Sequence, residues 1–133
     1  IDYVTISSIG NATDFGDLTV ARFSPASTSS SVRGLFAGGQ DPSSDVNVID
    51  YITIASTGNA TDFGDMQAAT SNASGGSNSV IGIFGGGQAP GVVNTIDKVT
   101  IASTGNATDF GDLINTPTQA AAAANGHGGL VGG

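Results

Sequence analysis

The sequence contains no cysteine, no tryptophan and no glutamate, and its only cations are Arg22, Arg33 and Lys98. Without cysteine the chain has no disulfide, thiolate metal ligand or cysteine nucleophile, although this does not fix its compartment. Three cations against eleven aspartates give a net charge of -8, which leaves little to hold nucleic-acid phosphates or anionic lipid. No apolar run approaches the roughly 20 residues of a membrane span. We therefore expect neither nucleic acid nor a membrane as partner.

Turn-forming residues dominate what is present. Glycine alone accounts for 21 of the 133 residues, and Ser, Thr, Asn and Ala are abundant. Few helix formers of the Glu, Lys, Leu and Arg type are present, and turn residues recur every few positions, which favours many short strands joined by turns. We expect one all-β domain of ordinary size.

The chain repeats itself with steps of 48 and 47 residues, as shown by the starts of three similar segments at Ile1, Ile49 and Ile96. Within them the octapeptide GNATDFGD, here called the motif, recurs unchanged at 10–17, 58–65 and 105–112. A second landmark keeps the same step: GLFAGGQ at 34–40, GIFGGGQ at 82–88 and GLVGG at 129–133. Periods of this size are typical of propellers, solenoids or arrays.

One period predicts four strands. Asp50–Ala55 alternates in hydrophobicity, a turn at Ser56–Asn59 follows, and Ala60–Met66 forms a short strand around Phe63. A third strand is expected around Asn78–Ile81, and an apolar, glycine-rich fourth at Ile81–Gly87, where backbones must approach closely. Four short strands in about 48 residues are the content of one propeller blade.

This parsing gives a single repeat domain with three blade equivalents. The predicted units are the second half of a blade at 1–17, full repeats at 18–65 and 66–112, and the first half of a blade at 113–133. Propellers usually have about 4–8 blades. The chain is therefore expected to be part of a longer propeller or of a ring completed by several chains, with repeats stacked in a fibre as a third possibility.

The apolar strands that end in paired glycines (36–39 and 84–87), followed by a strand holding Tyr51 and another holding Phe63, resemble the Kelch-type repeat of galactose-oxidase-like β-propellers. The amino-acid sequence of the repeats is similar to that of repeats in bacteriophage virion and tail-fibre proteins. The chain departs from Kelch in lacking tryptophan and in placing Lys98 where Tyr51 stands. The resemblance implies a virion or extracellular location, and we expect the chain to associate with itself or with other virion or filament subunits.

The aspartates of the motif are weak candidates for calcium ligands, because Ca²⁺ prefers six to eight oxygen atoms. The alternative is that they cap turns and keep strand edges soluble. We expect no metal site and no cofactor. The candidates are Asp14, Asp17, Asp62, Asp65, Asp109 and Asp112.

Four asparagines fit the N-x-[ST] pattern of glycan acceptors. In a phage or ordinary bacterial protein the same residues are only turn formers, so glycosylation stays open and intact mass is its test. The four are Asn11, Asn59, Asn72 and Asn106.

Nothing in the sequence marks a catalytic centre. His127 is the single histidine, in a Gly/Ala/Asn-rich stretch with no evident partner, and no nucleophile accompanies it. Arg22 and Arg33 occur in one repeat only, and pairing with local aspartates is the simpler expectation for them than contact with a glycan or another subunit. The absence of cysteine also excludes the copper-radical chemistry of galactose oxidase. A resemblance in fold does not by itself carry that function across.

The sequence therefore predicts a non-enzymatic structural and binding protein of the virion or tail fibre, which contacts host-surface glycans or neighbouring subunits. The alternative is a subunit of an extracellular filament, assembled through propeller or strand edges, with the N-x-[ST] asparagines as candidate glycan acceptors.

Overall fold

The computed structural model describes residues 1–124, and this range contains twelve β-strands and no helix. The expected all-β class is thereby confirmed. The strands are β1 (Asp2–Tyr3), β2 (Thr13–Asp14), β3 (Ala26–Ser29), β4 (Arg33–Ala37), β5 (Val48–Thr53), β6 (Thr61–Asp65), β7 (Ser74–Ser77), β8 (Ile81–Gly85), β9 (Gln88–Ala89), β10 (Gly91–Val92), β11 (Thr95–Thr100) and β12 (Thr108–Asp112).

The strands of residues 1–124 form two four-stranded and two two-stranded antiparallel sheets. The first sheet has the order β3-β4-β5-β6, and the second sheet has the order β7-β8-β11-β12. The N-terminal hairpin pairs β1 with β2, and the hairpin β9-β10 lies within the connection between β8 and β11. Each four-stranded sheet is thus a meander that lies within one period of the sequence.

The predicted third strand was wrong in position. The structure places β7 at Ser74–Ser77, and the residues from Asn78 to Val80 form the turn to β8. The Asn78 side chain stabilises that turn, because its Oδ1 accepts hydrogen bonds from the backbone N–H of Val80 at 2.8 Å and of Ile81 at 2.6 Å. The two central glycines of β7 weaken its sequence signal, since glycine is depleted in strands.

The hydrophobic core lies between the first and second sheets. Its largest fully buried apolar side chains are Leu35 and Ile49 from the first sheet, Phe84 from the second, and Ile101 just after β11. Tyr51 packs against the core and meets Phe63 edge-to-face, with ring centroids 6.0 Å apart. The apolar strands of successive repeats therefore bury their side chains against each other.

The paired glycines after β4 allow a close backbone approach. Gly38 and Gly39 have φ values of 62° and 103°, which side chains with a Cβ rarely adopt. Gly39 N–H donates to the carbonyl oxygen of Thr70 at 2.9 Å. These glycines let the segment that leads into the second sheet pack closely on the first sheet. This agrees with the close backbone approach expected from the sequence.

The segment 113–133, predicted to begin a further blade, contains no strand from 113 to 124. Residues 125–133, including His127 and the landmark at 129–133, lie outside the described part of the chain.

Candidate functional site

The motif forms a backbone contact between successive repeats. Gly58 N–H donates to the carbonyl oxygen of Phe15 at 2.7 Å, and Ala60 N–H donates to that of Asp17 at 2.8 Å. The Asn59 side chain completes the contact, because its Oδ1 accepts a hydrogen bond from Asp17 N–H at 3.0 Å. The start of the second motif copy is thus bonded to the end of the first.

The same three hydrogen bonds join the second and third copies. Gly105 N–H donates to Phe63 O at 2.7 Å, Ala107 N–H donates to Asp65 O at 2.8 Å, and Asp65 N–H donates to Asn106 Oδ1 at 3.1 Å. We call this set the motif contact. Asparagine contributes its side chain to this contact, which accounts for Asn at that position, whereas the other bonds join backbone atoms.

A β-bulge shapes the end of the second and third motif copies. In the first sheet Ile49 pairs with Gly64 and Asp50 with Asp62, so that Phe63 is skipped. Gly64 has a φ of 143°, and a Cβ built there would lie 2.5 Å from the carbonyl oxygen of Gly105. Only glycine accommodates this backbone conformation and this approach by the next repeat.

The first aspartate of each copy bonds to the backbone near the end of the motif. Oδ1 of Asp14, Asp62 and Asp109 accepts the N–H of the glycine two residues later at 3.1, 3.1 and 3.0 Å. The second aspartate takes part in the motif contact through its backbone at Asp17 and Asp65. Within residues 1–124 no three acidic or histidine side chains gather as a metal site would require. The six calcium candidates thus lie two to each motif copy along the repeats.

The four candidate glycan acceptors fall into two environments. Asn11, Asn59 and Asn106 are exposed at equivalent turns, and the last two use Oδ1 in the motif contact. Asn72 instead is half-buried with a φ of 58°, and its amide nitrogen lies 3.5 Å from Gln88 Oε1. Glycosylation remains a prediction for all four.

A buried aspartate in each four-stranded sheet is a feature that sequence reasoning did not assign. The carboxylate of Asp50 accepts hydrogen bonds from Thr19 N–H at 3.1 Å and Thr19 Oγ1 at 2.6 Å, and forms a buried salt bridge with Arg22 at 2.9 Å. Its counterpart Asp97 accepts two hydrogen bonds from Gln67. The signal was present in the sequence, because aspartate follows isoleucine at the start of all three repeats.

The two arginines have different partners. Arg22 pairs with an aspartate, as expected, and also donates to the carbonyl oxygen of Phe36 at 3.1 Å. The same expectation was wrong for Arg33, which donates to the carbonyl oxygen of Ile101 at 3.0 Å and lies over the Tyr51 ring at 4.4 Å. Arg33 thereby connects the first sheet to the second.

Three equivalent clefts lie beside the turn that precedes each motif copy. Their volumes are about 130, 290 and 590 Å³. Each is lined by hydroxyl groups and an asparagine. Tyr3 and Tyr51 line the first two clefts, whereas the third has Lys98 at the equivalent position and is also lined by Phe110. The threonines at the equivalent positions 5, 53 and 100 are exposed in all three clefts. The first two clefts offer neutral hydrogen-bonding groups next to an aromatic ring, and the third adds the Lys98 side chain.

Comparison with protein-family models and with curated proteins gives no match. Within residues 1–124 no helix has the length and apolar character to cross a membrane.

Proposed function

We propose that this chain is a non-enzymatic structural and binding module of β-propeller blades, a virion or tail-fibre component that contacts host-surface glycans or neighbouring subunits. The observation that carries its structural role is the motif contact. The most invariant residues of the chain are engaged in joining one repeat to the next. A repeated core unit with variable connections is the pattern of a scaffold.

The blade interpretation is supported by the equivalence of the two complete sheets. Each is a four-stranded antiparallel meander, and strands β3 and β7, which open them, lie against one another. Ser77 Oγ donates to the carbonyl oxygen of Ser29 at 2.7 Å, whereas the last strands are joined by the motif contact. Contacts at both ends of the meander favour sheets arranged face to face, as propeller blades are. The Kelch-like character and the virion setting rest on the sequence resemblance.

Glycan binding is supported by the chemistry of the clefts. Sugars present hydroxyl groups and apolar ring faces, which match the hydroxyl, amide and aromatic groups that line each cleft. Weak single sites in a row also gain avidity on a surface that displays many copies of one glycan.

A glycan array tests this part of the proposal. The variant Thr5→Arg, Thr53→Arg, Thr100→Arg places one long charged side chain in each cleft, and we expect it to lose the glycan signal of the native chain. The control variant Ser31→Arg, Ser79→Arg, Thr118→Arg adds the same charge at exposed positions outside the clefts and should keep that signal. A native chain that binds no glycan, or equal binding by both variants, would contradict the glycan role.

The second candidate is a subunit of an extracellular filament, with its N-x-[ST] asparagines as candidate glycan acceptors. The observation that favours it is the exposure of apolar side chains on the N-terminal hairpin and the second sheet, including Ile6 and Phe110. Electron microscopy of the native particle distinguishes the two settings, since a virion fibre and a free filament differ in outline. Intact-mass measurement of the native protein decides whether the asparagines carry glycans.

A further inference from the structure

The N-terminal hairpin exposes side chains that are buried at the equivalent positions of the second sheet. Val4 is 55% exposed, whereas its counterpart Val99 is 5% exposed. Ile6 is 96% exposed, whereas its counterpart Ile101 is 1% exposed against the first sheet. The hairpin therefore presents the surface that, in the second sheet, packs on the preceding repeat. We call this surface the head face.

The second sheet exposes the complementary surface on its opposite side. Phe110 is 57% exposed, although Phe63, in an identical motif copy, is 3% exposed beneath the second sheet. Ile81 and Ile83 line the same side next to Phe110, in a cavity that Ala123 and Ala124 also line. We call this surface the tail face.

The polar groups of the motif contact are also divided between the two faces. The head face carries the start of the first motif copy, with the N–H groups of Gly10 and Ala12 and the side chain of Asn11. The tail face carries the end of the third copy, at Phe110 and Asp112. Residues 1–124 contain no further copy that could bond to either of them.

We propose that the head face of one chain binds the tail face of a second copy of the same chain. The contact repeats the one between the first and second sheets: Gly10 N–H donates to Phe110 O, Ala12 N–H donates to Asp112 O, and Asn11 Oδ1 accepts from Asp112 N–H. Val4 and Ile6 of one copy cover Phe110 of the other. This inference deepens the proposed structural role and rests on it.

A head-to-tail contact either closes into a ring or continues as a filament. Each chain carries three motif copies, so that two chains supply six repeats, which falls within the usual range of about 4–8 blades. We therefore expect a closed pair of chains.

Light scattering coupled to size exclusion measures this directly. The native chain should run at about 26 kDa, twice its mass of 12.9 kDa. Ile6→Glu should run as a monomer, because it places a charge where the contact buries an apolar side chain. Ile9→Glu is the matched control on the same hairpin. Ile9 is exposed, and its counterparts Thr57 and Thr104 are exposed although their repeats follow another repeat in the chain. The contact should therefore leave residue 9 exposed, and this variant should remain paired.

A mixing experiment tests the direction of the contact. Phe110→Glu should also be monomeric alone, since it damages the tail face. An equimolar mixture of Ile6→Glu and Phe110→Glu retains one intact head and one intact tail, and should form a one-to-one pair joined at a single contact. A monomeric native chain overturns the inference. So does a mixture that stays monomeric while each variant keeps the native circular dichroism spectrum.

The same samples separate this inference from the proposed function. A native chain that is monomeric yet binds on the glycan array contradicts the head-to-tail contact alone. A paired chain that binds no glycan contradicts the glycan role and leaves the contact in place.

Discussion

Asp50→Asn is expected to lower the free energy of unfolding by about 3 kcal/mol, because it leaves the guanidinium of Arg22 buried without its counter-charge. Both side chains of this pair are fully removed from solvent, and their charged groups lie 2.9 Å apart. The Nε of Arg22 already lacks a hydrogen-bond partner among the described residues. Equilibrium urea denaturation followed by circular dichroism measures the change.

Two further variants separate the charge from the hydrogen bonds. Asp97→Asn changes the equivalent carboxylate, whose partner Gln67 is neutral, and we expect it to cost about 1–2 kcal/mol. The residue at the position equivalent to Arg22 in the next repeat is Thr70. Adding Arg22→Thr to the Asp50→Asn variant should therefore restore much of the stability that Asp50→Asn loses. Equal costs for the two aspartates, with no recovery on removing Arg22, would show that the buried charge is unimportant.

Phe63→Ala is expected to cost about 3–5 kcal/mol, as large-to-small changes of buried aromatic residues do. Phe110→Ala should cost only about 1 kcal/mol, because much of that ring is already exposed to water. Both residues belong to the same octapeptide, so the comparison isolates the effect of a covering sheet from that of local sequence.

This comparison is made in the Ile6→Glu background, so that association through the tail face does not stabilise Phe110. Thermal and urea unfolding of the two variants against Ile6→Glu give the costs. Similar losses for Phe63→Ala and Phe110→Ala would mean that the second sheet does not cover the motif of the first as the structure places it.

The sequence predicted the class of the fold and most of the strands, because alternation and turn residues are local signals. Strands at Val48–Thr53 and Thr61–Asp65 lie where the pattern of the second repeat placed them, to within a few residues. The strand Ser74–Ser77 was misplaced because its stability depends on a distant contact. Gly75 lies against the backbone of Ser27 in the preceding sheet, so glycine is required where local propensity opposes a strand.

The role of the motif was only half predictable. A turn, an aspartate that caps the backbone and one core phenylalanine follow from residue types, and the structure agrees for the copies around Phe15 and Phe63. The motif contact could not be predicted, because Asn59 bonds to Asp17 across 42 residues of chain. Identity among copies indicated a shared constraint but not that one copy is the binding partner of the next.

Amide hydrogen exchange, followed by NMR in the Ile6→Glu variant, tests the central claim that the motif joins repeats. We predict slow exchange for the N–H groups of Gly58, Ala60, Gly105 and Ala107, which donate in the motif contact. The N–H groups of Gly10 and Ala12 in the first copy should exchange fast in that variant. Fast exchange at the start of all three copies would contradict the account.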